Sequence, residues 1–422
     1  MTLDAKGYLF LVLLLVLAWL AGHLMSRLGY PSLIGELAVG VIFGPPLLNI
    51  LKPSAALTLL GTLGTLVLML LVGARIDYRD LGRASGSALL IAAGAFAASF
   101  SVGFFLTTMA FGRSTGEGLI VGVAISNTAL ATLPRILLDL DLIEARVGQF
   151  LAAVSLLTVA ILMTVFAAVD SFVMAGGLDL NRLGGVLLRA GLFFAFTIAS
   201  GIFLFPRLRG LLARLGLTGR SHSFAVALFL GIFYAGLANL AGLAIILGAF
   251  MAGLFIQEEM FPPGEFRPML SSVEDVAYRF LAPIFFVSAG FPVKFSVFQT
   301  SLAPLLALLV GALVAKSLVG FVLSRFSSLT WRESVVLGSG MNAKGGVDIV
   351  VANAGLSAKV LSPEFYTIVV FLATAGSLIT PVALKFGRDW LRRGGNLVAA
   401  RPAIVATPAD GATPAPSGAT AA

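Results

Sequence analysis

Apolar runs of about 20 residues, the length that crosses a ~30 Å hydrocarbon core, recur from one end of this chain to the other. Short segments rich in Arg, Asp, Gly and Pro separate them. Backbone groups in lipid must be satisfied within their own segment, so unalternating runs of this length predict helices rather than barrel strands. Thirteen spans are expected, at 7–24, 33–51, 55–74, 86–112, 116–140, 147–170, 183–205, 222–238, 240–257, 276–293, 302–324, 332–355 and 364–386. Only the stretch 239–242 separates the eighth from the ninth, so twelve or fourteen spans stay open. The first run has no basic leader and no small-residue cleavage site, and it reads as a retained helix.

Two spans are interrupted at comparable places. The fifth contains Ser126-Asn127-Thr128 and then Pro134-Arg135, and the twelfth contains Gly340-Met341-Asn342-Ala343-Lys344-Gly345-Gly346. Counted from the first and the eighth span, each is the fifth of a six-helix set. Paired broken helices in matching halves point to an inverted-repeat secondary transporter with its site near the midplane. The competing reading is that Gly and Pro merely decorate membrane helices. Asn and Lys at the breaks favour the transporter.

Composition agrees. The 422 residues are 59% hydrophobic and 11% charged, with a mean hydropathy of +1.02, against roughly 25% charged in a soluble protein. The formal charge of +8 comes from loops. Thirteen spans with the N-terminus outside collect Arg27, Arg75, Arg79, Arg83, Arg146, Arg207, Arg209, Arg214, Arg220, Arg325, Arg332, Lys385, Arg388, Arg392 and Arg393 on one side. The other side receives little beyond Lys6, Lys52, Arg113, Arg182, Lys294 and Lys359. By the positive-inside bias the C-terminus is cytoplasmic, and the charge speaks for a bilayer rather than for nucleic acid as partner. Residues 1–395 form the membrane domain, and the Ala/Pro/Thr-rich 396–422 is expected to be a disordered tail. With no cysteine, disulfides, thiolate metal sites and Cys nucleophiles are excluded. No G-x-x-x-x-G-K-[ST] loop is present. Neither an enzyme nor a cofactor or metal is expected.

The chain resembles the Kef-type and plant-type monovalent cation/proton antiporters over residues 7–390. The resemblance rests on Pro31-Ser32-Leu33-Ile34-Gly35-Glu36-Leu37 followed by Gly44-Pro45, and on Leu70-Leu71-Val72-Gly73. It rests further on Ser126 to Leu137, Leu247 to Gly253, Pro283 to Val287, and Gly340 to Gly345, where relatives usually have Arg at position 344. The resemblance implies the sodium/proton antiporter fold: all-α, about thirteen helices in two inverted repeats. It also implies cation/proton exchange in a bacterial inner membrane and a homodimer. In that family a carboxylate on the sixth span binds cation and proton in competition. Here the sixth span has none short of its end, because no Asp or Glu lies between Glu144 and Asp170. Counting without gaps from Gly148 places the family's pair on Thr158-Val159, and many relatives have an acid where this chain has Arg75.

The remaining candidates follow from position. Lys316 sits mid-run, where a charge costs roughly 2.5–3.5 kcal/mol on insertion scales, and it matches the family's basic residue. Snorkelling is awkward with about ten apolar residues on either side. As the group that exchanges its proton, Lys316 is the leading expectation. Lys344 and Asp348 are spaced for an intrahelical pair, and that structural role competes with Asp348 as a midplane carboxylate. Ser155 and Thr158 offer hydroxyls on one helix face, although capping of backbone carbonyls is their commoner use. Asn127, Thr128 and Asn342 stand at the breaks, and Glu36 lines a cavity or lies near an interface. Asp170, His23 and His222 fall near span ends, where an interfacial role is the default. Lys316 and Arg135 beside helix N-termini also suit an anion or neutral solute. A non-transporting sensor or scaffold is the reading from another class.

Overall fold

The computed structural model describes residues 5–76, 86–130, 132–174, 180–204, 219–261, 264–327 and 329–393, with isolated positions between 205 and 218. Arg79, Arg83, Arg209 and the tail 396–422 lie outside the described residues, as do the side chains of Lys6, Arg135, Arg182 and Arg220. The described residues are helical with no strand. Seven helices are long and apolar enough to cross a membrane, and five apolar helices of 10–17 residues accompany them.

The helices are α1 (Ala5–Arg27), α2 (Ser32–Phe43), α3 (Ala55–Ala74), α4 (Gly86–Phe105), α5 (Thr115–Ser126), α6 (Thr132–Asp139), α7 (Arg146–Met174) and α8 (Leu180–Ala199). After them come α9 (Arg220–Leu240), α10 (Ile245–Phe255), α11 (Phe266–Val276), α12 (Ala282–Gly290), α13 (Leu302–Ser324), α14 (Trp331–Gly340), α15 (Gly346–Ser357) and α16 (Pro363–Arg393). Side-chain caps start several of them. Ser54 Oγ accepts from Leu57 N at 3.2 Å and Ser114 Oγ from Glu117 N at 3.1 Å. Thr330 and Glu333 form a reciprocal capping box, which satisfies orphan donors at the start of α14. α2 is shorter than the span expected at 33–51: it stops at Phe43, ahead of Gly44-Pro45.

The helices pack as two sets. One contains α1–α3 with α9–α12; the other contains α4–α7 with α13–α16, and α8 sits between α7 and α9. Water is absent on both sides of a helix contact in lipid, so close van der Waals approach holds the sets together. Glycine provides that approach. A Cβ on Gly73 would overlap the Phe250 carbonyl, and one on Gly253 would overlap the Leu70 carbonyl, so α3 and α10 meet backbone to backbone. α13 shows the lipid boundary. Leu302, Leu306, Val310, Val314, Leu318 and Val322 form an exposed stripe at four-residue spacing. The opposite face, Leu305, Leu308, Ala312, Lys316 and Gly320, is buried.

Ion pairs tie each end of the bundle. Arg75–Glu274 (2.9 Å), Arg146–Glu333 (3.0 Å) and Arg392–Asp141 (3.6 Å) lie at the end where α3 and α16 finish. Lys294–Glu364 (2.9 Å) and Arg113–Glu117 (4.0 Å) lie at the other. Each pair joins residues that the charge pattern assigns to one side, as an alternating series of spans requires.

Candidate functional site

The fifth and twelfth spans are broken where the sequence places the breaks. α5 stops at Ser126 and α6 begins at Thr132; α14 stops at Gly340 and α15 begins at Gly346. The two unwound segments cross. Ala129 N donates to Ala343 O at 2.9 Å, and Thr128 Oγ1 donates to Met341 O at 2.9 Å. Breaking a helix in lipid leaves carbonyls without donors at one half's end and amides without acceptors at the other's start. Two lysines and one aspartate meet those needs here.

Lys344 Nζ donates to Ile125 O (2.5 Å) and Asn127 O (3.2 Å) at the negative end of α5, and lies 3.3 Å from Asp348 Oδ1. Asp348 Oδ2 accepts from Gly345 N at 2.9 Å, capping α15, and from Asn127 Nδ2 at 3.4 Å. Lys316, 1% exposed, points away from the lipid stripe and donates to Asn127 O at 2.5 Å. That contact removes the snorkelling alternative. Asn342 Nδ2 donates to Ser317 Oγ at 2.6 Å and reaches Leu313 O at 3.4 Å, a second tie between α13 and the crossing.

Lys344 stands in the unwound segment rather than on the helix, so its pairing with Asp348 spans a helix start and is not an i,i+4 pair along one helical face. α7 contributes no acid to the crossing, since its one acid, Asp170, lies near its far end. Its Leu151 packs on Gly340, and Ser155 and Thr158 follow on that face one and two turns later, both buried. Their hydroxyls donate to Ala152 O (2.8 Å) and Val154 O (2.7 Å), the back-bonding that competes with a ligand role. Among the described residues the crossing therefore holds two ammonium groups, one carboxylate and no ion pair to Lys316. The amide oxygen of Asn127 is buried without a hydrogen-bond partner.

Glu36 stands apart from this cluster. A cavity of about 500 Å³ opens between the two helix sets, and Glu36 lies in its α2 wall. Thr132, Gly346 and Val347 form the facing wall, and Arg75 and Tyr278 line the same space. Asp170, near the end of α7, is buried: its Oδ2 accepts from Ala244 N at 2.6 Å and caps α10 from α7. His23 is exposed and stacks on Trp19, with ring centroids 5.8 Å apart, and His222 is exposed at the start of α9. Arg135 lies on α6, with its side chain outside the described residues.

Sequence reasoning missed the support beneath Lys344. Ser377 Oγ of α16 donates to Lys344 O at 3.0 Å, and a Cβ on Gly376 would overlap Lys344 Cγ. Nothing local in the sequence of α16 ties these two positions to Lys344. Ser317 was within reach, as the neighbour of a lysine already singled out.

The sequence profile of the family described as sodium/hydrogen exchanger, transmembrane, matches residues 11–386. The chain belongs to this family. Among its relatives it is 29% identical over 384 residues to the Na(+)/H(+)-K(+) antiporter GerN of Bacillus cereus, covering 91% of this chain and 97% of that protein. To a Na(+)/H(+) antiporter of Enterococcus hirae it is 26% identical over 377 residues, 89% and 96% of the two chains. The solved sodium proton antiporter MjNhaP1 of Methanocaldococcus jannaschii shares the fold. Its TM-score is 0.60 at 18% identity, with 91% of this chain and 98% of that one covered. As a sodium/hydrogen exchanger family member the chain is an integral membrane protein.

Proposed function

We propose that this protein is a secondary antiporter that exchanges a monovalent cation, Na⁺ or K⁺, for protons, and that Lys316 carries the proton. The observation behind this is the Lys316 ammonium, buried on the Asn127 carbonyl with no carboxylate of its own. Antiport needs one place that holds either a proton or the cation. With Lys316 protonated, the crossing has an excess of one positive charge, and a second cation there is repelled at low dielectric. With Lys316 neutral, the Asn127 carbonyl, which Lys344 still contacts, regains one lone pair, and with the unpartnered amide oxygen of Asn127 it can accept a cation beside Asp348. The hydroxyls of Ser155 and Thr158, on the α7 face that Leu151 turns toward Gly340, are the further oxygens this reading assigns to the ion. Competition then runs without an acid from α7 at the crossing, and relatives named as antiporters make this the first reading to test.

Motion of the α4–α7 and α13–α16 set against the other would expose the crossing to each side in turn. In this proposal the crevice at Glu36 is the cytoplasmic mouth, the C-terminus is cytoplasmic in a bacterial inner membrane, and two copies associate as the family resemblance implies.

The test is proton-gradient dissipation in everted vesicles with Na⁺, K⁺ and Li⁺ added in turn. A cation-dependent signal that is lost in Lys316→Ala is the expected result. Transport that survives Lys316→Ala with unchanged pH dependence overturns the role of Lys316. A folded, inserted wild type that answers no cation favours a second reading, an anion or neutral solute, for which the excess positive charge of the crossing is the supporting observation.

A further inference from the structure

One buried carboxylate has no part in that mechanism. Glu36 is 5% exposed and lies in the crevice wall. Among the lining residues it is the sole carboxylate, and Arg75 is the sole cationic side chain. Arg75 is engaged elsewhere: its guanidinium donates to Glu274 at 2.9 Å and reaches the Tyr278 hydroxyl at 3.5 Å. Among the described residues no ammonium or guanidinium pairs with Glu36, whose neighbour is the Ser32 hydroxyl one turn earlier. A carboxylate buried to this degree is costly if left unpaired. Such a group is neutralised by a proton or by a cation that comes and goes.

The carboxylate is also held in place. A Cβ on Gly35 would overlap the Ala21 backbone, and one on Gly40 the Val287 carbonyl, so α1 and α12 clamp α2 on two sides. A Cβ on Gly22 would meet Glu36 Oε1 at 3.2 Å, which puts α1 against the carboxyl group itself. Across the crevice stand the Thr132 hydroxyl and the start of α15, with Val347 adjoining Asp348. A cation entering the crevice therefore passes Glu36 before it reaches Asp348. While Lys316 is protonated, the cation also approaches a crossing of net positive charge, which gives it no attraction from within.

We propose that Glu36, with the Ser32 hydroxyl, binds a monovalent cation in the crevice, as a station on the α2 wall ahead of the crossing. The station draws in and holds the cation; the crossing exchanges it. This rests on the antiport reading above, but binding is measurable without transport.

The experiment uses the purified full chain in detergent, with its thermal unfolding midpoint followed against NaCl, KCl and RbCl. N-methyl-D-glucamine chloride keeps the ionic strength constant. A ligand that binds only the folded state raises the midpoint with concentration, which reports its apparent affinity. Wild type is expected to show a saturable shift with at least one alkali cation. Loss of the charge in Glu36→Gln should weaken apparent affinity about tenfold or more, and Ser32→Ala about fivefold. Alkali cations that act no differently from N-methyl-D-glucamine on wild type overturn the proposal, as does an unchanged response in Glu36→Gln. Should Glu36→Gln fail to fold, an unchanged response in Ser32→Ala overturns it equally. Vesicle transport separates the two claims. Wild-type antiport with an unaltered cation response in Glu36→Gln removes the station and leaves the antiport reading standing. A Glu36-dependent response without wild-type antiport does the reverse.

Discussion

Lys344→Met is the perturbation that most directly examines the crossing. Methionine keeps the volume and removes Nζ, with its contacts to Ile125 O at 2.5 Å, Asn127 O at 3.2 Å and Asp348 Oδ1 at 3.3 Å. Asp348, 1% exposed, is then left without its ion-pair partner. Breaking a buried pair from one side costs about 3–5 kcal/mol, because the surviving charge is uncompensated. Asp348→Asn is milder: an amide oxygen still accepts from Gly345 N, and Lys344 keeps two carbonyls. Its cost is the loss of a charged hydrogen bond, ~1.5–3 kcal/mol. If the two side chains neutralise each other, the double variant leaves no bare charge and falls short of the sum of the singles by about 0.5–3 kcal/mol. Equilibrium unfolding by SDS titration in mixed micelles, run on all four proteins, measures this. Additivity of the single variants to within ~0.5 kcal/mol would refute the coupling, and with it the account of how the α15 start and the α5 end are held together.

Two further substitutions probe the supports. Gly376→Ala places a methyl against Lys344 Cγ and within 2.9 Å of the Asn342 carbonyl oxygen. It should cost about 1–3 kcal/mol as overpacking and abolish vesicle transport, although alanine is the better helix former. Gly191→Ala, which meets nothing within 4 Å, should be neutral or slightly stabilising in the same thermal assay; equal effects at the two sites would count against the seat for Lys344. Asp170→Ala removes the side chain that caps α10 from α7 and should cost about 1 kcal/mol, up to ~2, in thermal stability. Asp170→Asn, which keeps an acceptor oxygen, should recover most of that loss.

The sequence carried the membrane class, the breaks and the buried lysine of α13, because each has a local signature. Span length follows from bilayer thickness, and Asn or Lys inside an apolar run is costly enough to demand a partner. What it could not carry is partnership across the fold. Lys316 was legible as an intramembrane charge, but its acceptor, the Asn127 carbonyl, is a backbone atom 189 residues away. Asp170 was legible as the close of an apolar run, but nothing local shows that the amide it caps belongs to a helix of the other set. The pairing of Lys344 with Asp348 was readable from spacing, yet the spacing suggested a continuous helix where the chain is unwound. The Thr330-to-Glu333 capping box did have a readable pattern, S/T-x-x-E, and was passed over for the charges nearby.

The crossing also has a consequence in time. Thr128 meets Met341 across 213 residues of intervening chain. At a synthesis rate of about 5–20 residues per second, ~10–40 s separate the arrival of the two segments in the membrane. For most of that interval the finished end of α5 has neither Lys316 nor Lys344 to satisfy its carbonyls. The first half of the protein is thus made with an exposed polar scar at mid-bilayer depth, which closes only when the second half arrives. Nascent chains halted before residue 316 should be the forms that membrane quality control recognises and removes.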